Sequence, residues 1–315
     1  MLTVALSLLL GARTVSLSAI WQALTAFDPA SADHVVIRTR VDRTAAGVVV
    51  GAALALAGTA MQGLTRNPLA DPGILGLNAG AATAVVIGVY AFSITAIPEL
   101  MACAFLGAAL GTVAVYALAS RGREGATPVK LALCGAAITA GLGSVVNALV
   151  LLDQSALDRL RFWQIGTLGA RTLADVTPAA IAVIIGIIIV LGFGPTLNAL
   201  ALGDDAAVGL GVRLTRARIV LGAAIVLLCG AAVALAGPIG FLGLVVPHAV
   251  RIVVGADHRR TIPVALFAGP ILILLADVAG RLIAPPAEVQ VGVMTALIGV
   301  PVFILLIRTG KRVSA

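Results

Sequence analysis

Hydrophobic positions in this chain fall into long apolar runs separated by short charged or Gly/Pro-rich punctuation. Runs near 44–65, 73–92, 97–119, 128–152, 173–193, 216–236, 237–254, 262–284 and 288–307 each approach the ~20 residues that carry a helix across ~30 Å of hydrocarbon. The pattern therefore predicts nine clear membrane-spanning helices. A further apolar stretch, Met1 to Ala12, is too short to cross at ~1.5 Å per residue. It lacks the basic start and small-residue cleavage site of a signal peptide, and reads as the outer part of a first span whose beginning lies outside this sequence. The expectation is an all-α polytopic membrane protein of about ten spans, residues 1–315 forming one transmembrane domain.

Ten spans put both termini on one side, and the basic residues choose it. One side carries thirteen Lys/Arg, among them Arg66, Lys130, Arg213, Arg216, Arg218, Arg251, Arg259 and Arg260. The other carries eight: Arg13, Arg38, Arg40, Arg43, Arg159, Arg161, Arg171 and Arg281. The excess assigns the first side, and both termini, to the cytoplasm of a multi-pass plasma-membrane protein. With acids included the cytoplasmic side holds +8 and the outer side −1, so the formal charge of +7 is an orientation signal and not a nucleic-acid footprint.

Composition narrows the function. Hydrophobic residues make up 60% and charged residues 11%, against ~45–50% and ~25% in soluble domains, which excludes a water-soluble enzyme. The loops leave no room for a separate catalytic domain. No Gly-x-x-x-x-Gly-Lys-Ser/Thr phosphate loop occurs, since Gly310-Lys311 lacks both the upstream Gly and the following hydroxyl. His34, His248 and His258 are isolated, and Cys103, Cys134 and Cys229 sit in separate apolar runs as packing residues. No catalytic residue, metal ligand set or cofactor is expected.

Gly51–Gly58 (GAALALAG) recurs as Gly230–Gly237 (GAAVALAG), in spans two and seven. A repeat of five spans would be inverted across the membrane, relating spans two to five with seven to ten. A Gly/Ala match of this length also arises by chance. Small residues at four-residue spacing, Gly47/Gly51 and Gly107/Gly111, favour close helix approach in lipid.

Four segments could carry chemistry. Residues 62–72 (QGLTRNPLADP) break sharply at two prolines: a tight turn, or a constriction at the inner mouth. The cytoplasmic loop 194–218 is the longest, and within it Asp204 or Asp205 offers an N-cap and Gly209 or Gly211 a stop. Such a helix is a docking element or a surface helix, and its acidic start without basic residues argues against lipid. Residues 237–251 form a Gly/Pro-interrupted span, either lining a cavity or simply kinked. Asp277 and Arg281 are four apart, either neutralising each other or leaving Arg281 for an outside partner and Asp277 as a polar intramembrane site.

These segments carry a family resemblance. Residues 51–80, with the string NPLADP, 197–211 (LNALALGDDAAVGLG), 237–258, with GFLGLVVPH, and 276–301 (ADVAGRLIAPPAEVQVGVMTALIGVP) resemble, in order, the FecCD-type permeases. These are the transmembrane subunits of type II ATP-binding-cassette importers for iron–siderophores, haem and vitamin B12. The resemblance implies a dimer, made with a second copy or a paralogous permease, two cytoplasmic ATPase subunits, and an extracytoplasmic substrate-binding protein. Leu202, Gly203, Asp204, Asp205, Ala206, Leu210 and Gly211 match the coupling helix that seats in the ATPase. Arg40, Arg43 and Arg281 match outward-facing arginines that meet acids of the binding protein; lipid phosphate or a local acid such as Asp42 is the alternative partner. Asn67, Pro68, Leu69 and Thr127 resemble the cytoplasmic gate.

Two departures bear on this. Arg40-Val-Asp-Arg43 stands where Arg-Leu-Pro-Arg is usual, and Glu288-Val-Gln290 where Glu-Leu-Pro is usual. The function expected is that of a permease subunit importing ferric siderophore, with haem or cobalamin as the alternative cargo. A proton-coupled carrier titrating Asp277 is the rival of a different class.

Overall fold

The computed structural model describes residues 2–11, 15–121, 127–152, 163–169, 171–285 and 287–310. Every regular element among them is helical. In chain order they are α1 (Leu2–Leu9), α2 (Leu17–Thr25), α3 (Ala32–Thr65), a 3₁₀ turn (Pro72–Leu75), α4 (Leu77–Phe92), α5 (Ile97–Ala119), α6 (Pro128–Leu152), α7 (Leu173–Gly192), α8 (Gly194–Ala201), α9 (Asp204–Gly209), α10 (Leu214–Ala236), α11 (Leu242–Val254), α12 (His258–Ile283) and α13 (Val291–Gly310).

Six of these, α3, α5, α6, α7, α10 and α12, are long and apolar enough to cross a membrane, and α4, α11 and α13 are shorter apolar helices. Together they are the nine expected runs. The first stretch is an eight-residue helix, about 12 Å long and less than half the hydrocarbon thickness.

α3 begins twelve residues before the apolar run that announced it. Its 34 residues span about 51 Å, and its first third carries Arg38, Arg40, Asp42 and Arg43. Hydropathy hides this charge-rich start because partners elsewhere in the bundle hold Arg40 and Arg43. The apolar part is the axis of the bundle, packed against α12, α10, α11 and α7. The two copies of the Gly/Ala octapeptide lie on α3 and α10, buried throughout. These helices run in opposite directions, since Arg66 beyond the end of α3 and Arg218 near the start of α10 hold the same carboxylate.

The α3–α11 crossing explains two otherwise odd residues. Pro247 has no N–H, so the Gly243 carbonyl four residues earlier lacks its helical donor. The buried Gln62 side chain lies across it, its Nε2 3.4 Å from the carbonyl oxygens of Gly243 and Leu244. One turn away on the same face, Gly58 lets the backbones meet: a Cβ there would stand within bonding distance of the Gly243 oxygen.

The run expected as one span at 237–254 is broken. Residues 237–240 are non-helical and α11 starts only at Leu242, behind Phe241 in the left-handed region at φ 66°. The freed backbone is satisfied within protein, as membrane depth requires: the Thr167 N–H donates to the Ala236 carbonyl at 2.8 Å. The run at 73–92 likewise opens on the 3₁₀ turn, capped by Asp71, whose Oδ1 accepts from the Gly73 N–H at 2.7 Å.

Candidate functional site

Three places carry polar chemistry: the end of the bundle where α3 finishes, the opposite end, and a cavity beside α6.

At the first end, most of the long loop is helix. α8 and α9 fill 194–201 and 204–209, so the loop is two short rods and not an extended tether. Asp204 and Asp205 lie in the first turn of α9, where carboxylates suit the helix dipole, but neither caps it; Gly203, at φ 107°, holds the N-cap position. The Asp204 carboxylate turns away to charged partners, accepting from Arg218 Nη2 at 2.7 Å and facing Arg66 Nη2 at 3.4 Å. α9 stops in a Schellman motif: the Val212 N–H reaches the Ala207 carbonyl at 2.9 Å and the Gly211 N–H the Val208 carbonyl at 2.9 Å. Gly211 supplies the left-handed step at φ 84°. Ala207 is buried beneath, while Leu202, Val208 and Leu210 stand exposed at 69%, 55% and 65%. The clamped helix and the residues flanking it thus present three large apolar side chains outward.

The turn after α3 also lies at this end. Arg66 adopts φ 52°, Asn67 Oδ1 accepts from the Leu69 N–H at 2.9 Å, and Asn67, Pro68 and Leu69 are exposed. Thr127 precedes α6, its hydroxyl accepting from the Lys130 N–H at 3.3 Å.

At the opposite end, the three arginines are turned inward. Arg43 Nε and Nη2 donate to both oxygens of Asp277 at 2.7–3.0 Å, and its Nη1 donates to Glu288. Arg281 Nη2 lies 3.1 Å from the same Asp277 and donates to the Ser7 hydroxyl at 3.0 Å, while its Nη1 donates to the Ser7 carbonyl. Arg40 Nη1 donates to the Leu8 and Leu9 carbonyls at 2.8 and 3.0 Å. Arg40 and Arg281 are only 6% and 2% exposed. The end of α1 covers two of the three. The alternative in which Asp277 and Arg281 neutralise each other holds, with Arg43 as a third member. Asp42 pairs with neither Arg40 nor Arg43 but with Arg38, at 4.0 Å.

The cavity beside α6 has a volume of about 350 Å³ and is lined by Asn78, Thr139, Gly143, Asn147, Trp163 and Gln164, with Pro238 at its edge. Thr139, Gly143 and Asn147 recur every four residues on one face of α6. A smaller void of about 40 Å³ shares Asn78 and reaches Asp71, Cys229 and the break before α11. Its walls are uncharged apart from Asp71. Among the described residues no cluster of His, Cys, Asp and Glu could hold a metal ion. Sequence reasoning missed this lining, for which the only signal was the four-residue spacing on α6.

The profile of the FecCD transport family matches residues 1–309. The chain belongs to that family. It is 43% identical over 311 residues to the ferric enterobactin transport system permease protein FepD of Escherichia coli, covering 99% of this chain and 93% of that one. It is 39% identical to the hemin transport system permease protein HmuU of Yersinia pestis, covering 95% and 89%. Its fold matches that of a metal-chelate type ABC transporter solved in an inward-facing conformation, with a TM-score of 0.84, 27% identity and 98% and 95% coverage. As a FecCD protein the chain is a multi-helix membrane component of a transport system, which agrees with its apolar helices.

Proposed function

We propose that this chain is the permease subunit of an ATP-driven importer of ferric siderophores. It forms the translocation pathway with a second permease, either its own copy or a paralogue. Two cytoplasmic ATPases supply the energy, and an extracytoplasmic binding protein delivers the chelate. The observation that carries the reading is α9: a short helix, stopped by a Schellman turn and clamped by Arg66 and Arg218, that with its flanking residues exposes Leu202, Val208 and Leu210. A bundle with no phosphate loop of its own has use for such a surface only as a seat for another protein. Leu202, Gly203, Asp204, Asp205, Ala206, Leu210 and Gly211 form this seat, at the cytoplasmic end that the basic excess assigns. Asn67, Pro68, Leu69 and Thr127 stand at the same end as the proposed inner gate.

At the outer face the docking role of Arg40, Arg43 and Arg281 takes an altered form. The trio is held by Asp277, Glu288 and the α1 backbone. Of these partners Glu288 is exposed, so an acid of the binding protein reaches Arg43 by displacing it. Ferric siderophore as cargo is supported by the 43% identity to the enterobactin permease. Haem is the second reading, supported by the hemin permease. A carrier titrating Asp277 is opposed by the two guanidinium groups that already hold its carboxylate.

ATP hydrolysis by the purified complex tests the seat. Gly203→Pro demands φ near −65° where the chain has 107°, and should sever stimulation of the ATPase by loaded binding protein. Hydrolysis indifferent to this change would show that α9 is not the seat.

A further inference from the structure

We infer that Asn198 is a positioning residue that links α9 to the α3–α12 pair, and through it the ATPase side to the outer face. This rests on the reading of α9 as the ATPase seat. Asn198 lies on α8, one turn before the step into α9, and its amide is used at both ends. Nδ2 donates to Asp257 Oδ1 at 2.6 Å, and Oδ1 accepts from the His258 backbone N–H at 2.8 Å. His258 Nδ1 is 3.0 Å from the same oxygen. Two contacts of opposite polarity determine which way the amide points: a carboxylate needs the donor and a backbone N–H needs the acceptor. With Oδ1 as acceptor, Nδ1 is the protonated nitrogen of the ring.

Asp257 is the N-cap of α12, its Oδ1 also accepting from the Arg259 N–H at 2.9 Å. One side chain of the coupling segment therefore grips the first turn of a spanning helix. The grip is wedged against α3 as well: a Cβ on Gly63 would stand 2.7 Å from His258 Nε2 and 3.0 Å from Leu197 of α8. Three helices converge on this point.

α12 runs on from there as one helix through Pro263 and Pro270. The 23 helical steps from His258 to Arg281 rise about 35 Å, and the helix lies on α3 with Gly51 and Gly269 backbone to backbone midway. At its far end Asp277 and Arg281 close on Arg43 of the same α3. The α3–α12 pair is thus tied at both ends. A displacement of α9 reaches the outer arginine cluster through Asn198 and the α3–α12 pair.

The test uses the complex of permease, ATPase and binding protein in proteoliposomes, with ATP hydrolysis measured with and without binding protein loaded with ferric enterobactin. Asn198→Leu keeps the size and removes both contacts. Basal hydrolysis and ATPase co-purification should stay within twofold, and stimulation should fall at least fivefold. Asn198→Asp, which sets carboxylate against carboxylate, should lose stimulation as far. The reciprocal pair Asn198→Asp with Asp257→Asn reverses the polarity of one contact and keeps the His258 N–H acceptor. It should return stimulation to within twofold of the parent, a rescue that loss of folding cannot imitate. Stimulation unchanged in Asn198→Leu, or a double variant no better than Asn198→Asp, overturns the inference; if Asn198→Leu also loses basal hydrolysis, the reciprocal pair decides. Leu210→Glu separates the two claims. If it leaves ATPase co-purification intact, the α9 seat has failed; if it abolishes co-purification while Asn198→Leu changes nothing, only the link has failed.

Discussion

Replacing Asp277 with Asn should be among the most damaging single changes of similar size in this chain. The carboxylate is fully buried and shared by Arg43 and Arg281, with contacts of 2.7–3.1 Å. An amide of the same shape keeps the packing but removes the charge paired with Arg281, which is 2% exposed. Stranding one partner of a buried pair costs roughly 3–5 kcal/mol. Here the lower end applies, since Arg43 keeps Glu288 and Arg281 keeps the Ser7 carbonyl and hydroxyl. About 3 kcal/mol corresponds to two decades in the folded-to-unfolded ratio. The three cysteines provide the assay. In a Cys103→Ala, Cys134→Ala background only Cys229 remains, and it is buried, so maleimide labelling during SDS titration of mixed micelles reports unfolding. Asp277→Leu with Arg281→Met removes anion and cation together and should recover more than half of the loss, because replacing a buried pair with apolar groups is often neutral. A single Asp277→Asn variant within about 0.5 kcal/mol of the parent would refute the reasoning, since the carboxylate could not then be charged and shared.

Gly58→Val should prevent folding, because α3 and α11 cannot approach with any Cβ in place, whereas Gly222→Ala, which meets nothing within 4 Å, should be neutral; monodisperse elution in detergent checks both. Gly211→Val forces a β-branched residue to φ 84°, costing roughly 1–2 kcal/mol, and should loosen the end of α9 and weaken ATPase co-purification while the apolar helices of the bundle stay intact by circular dichroism. The exposed Asp257 carboxyl is held below its ordinary value first by the Asn198 amide and then by the Arg259 N–H. A depressed acid stabilises the folded form above its unfolded value and loses that contribution as pH falls through the lower, folded value. Asn198→Leu should therefore shrink the stability lost on acidification through this window and raise the pH at its lower end, and an unchanged acid limb would contradict the bond.

The spanning helices were legible because an apolar run of twenty residues has few alternatives at membrane depth. What escaped was held together by groups remote in sequence or by groups with no side-chain signature. α2 and α8 are too short to show as runs, and α3 starts early because its charged residues find partners on α1 and α12. Asp204 reads as a cap by its place before α9, yet it serves Arg66 and Arg218, 138 positions before it and 14 after it. Arg40 and Arg281 read as outward because their positions match outward-facing arginines of the family. Backbone carbonyls of Leu8, Leu9 and Ser7 bury them instead, and nothing in a sequence announces a carbonyl. The Asp277–Arg281 pair was visible from its four-residue spacing, while Arg43, 234 residues from Asp277, was not. The polar cavity went unseen because single amides in apolar runs look like packing residues until α4 and α6 are set side by side.

The central claim is that this bundle passes a ferric chelate under power supplied by ATPases seated on α9. Uptake of ⁵⁵Fe-labelled enterobactin into proteoliposomes containing the permease and its ATPase, with binding protein outside, tests it most directly. Accumulation that needs ATP inside, survives collapse of the proton gradient and is lost in Gly203→Pro is the predicted result. Accumulation that follows a proton gradient without ATP, or that is indifferent to Gly203→Pro, would contradict it.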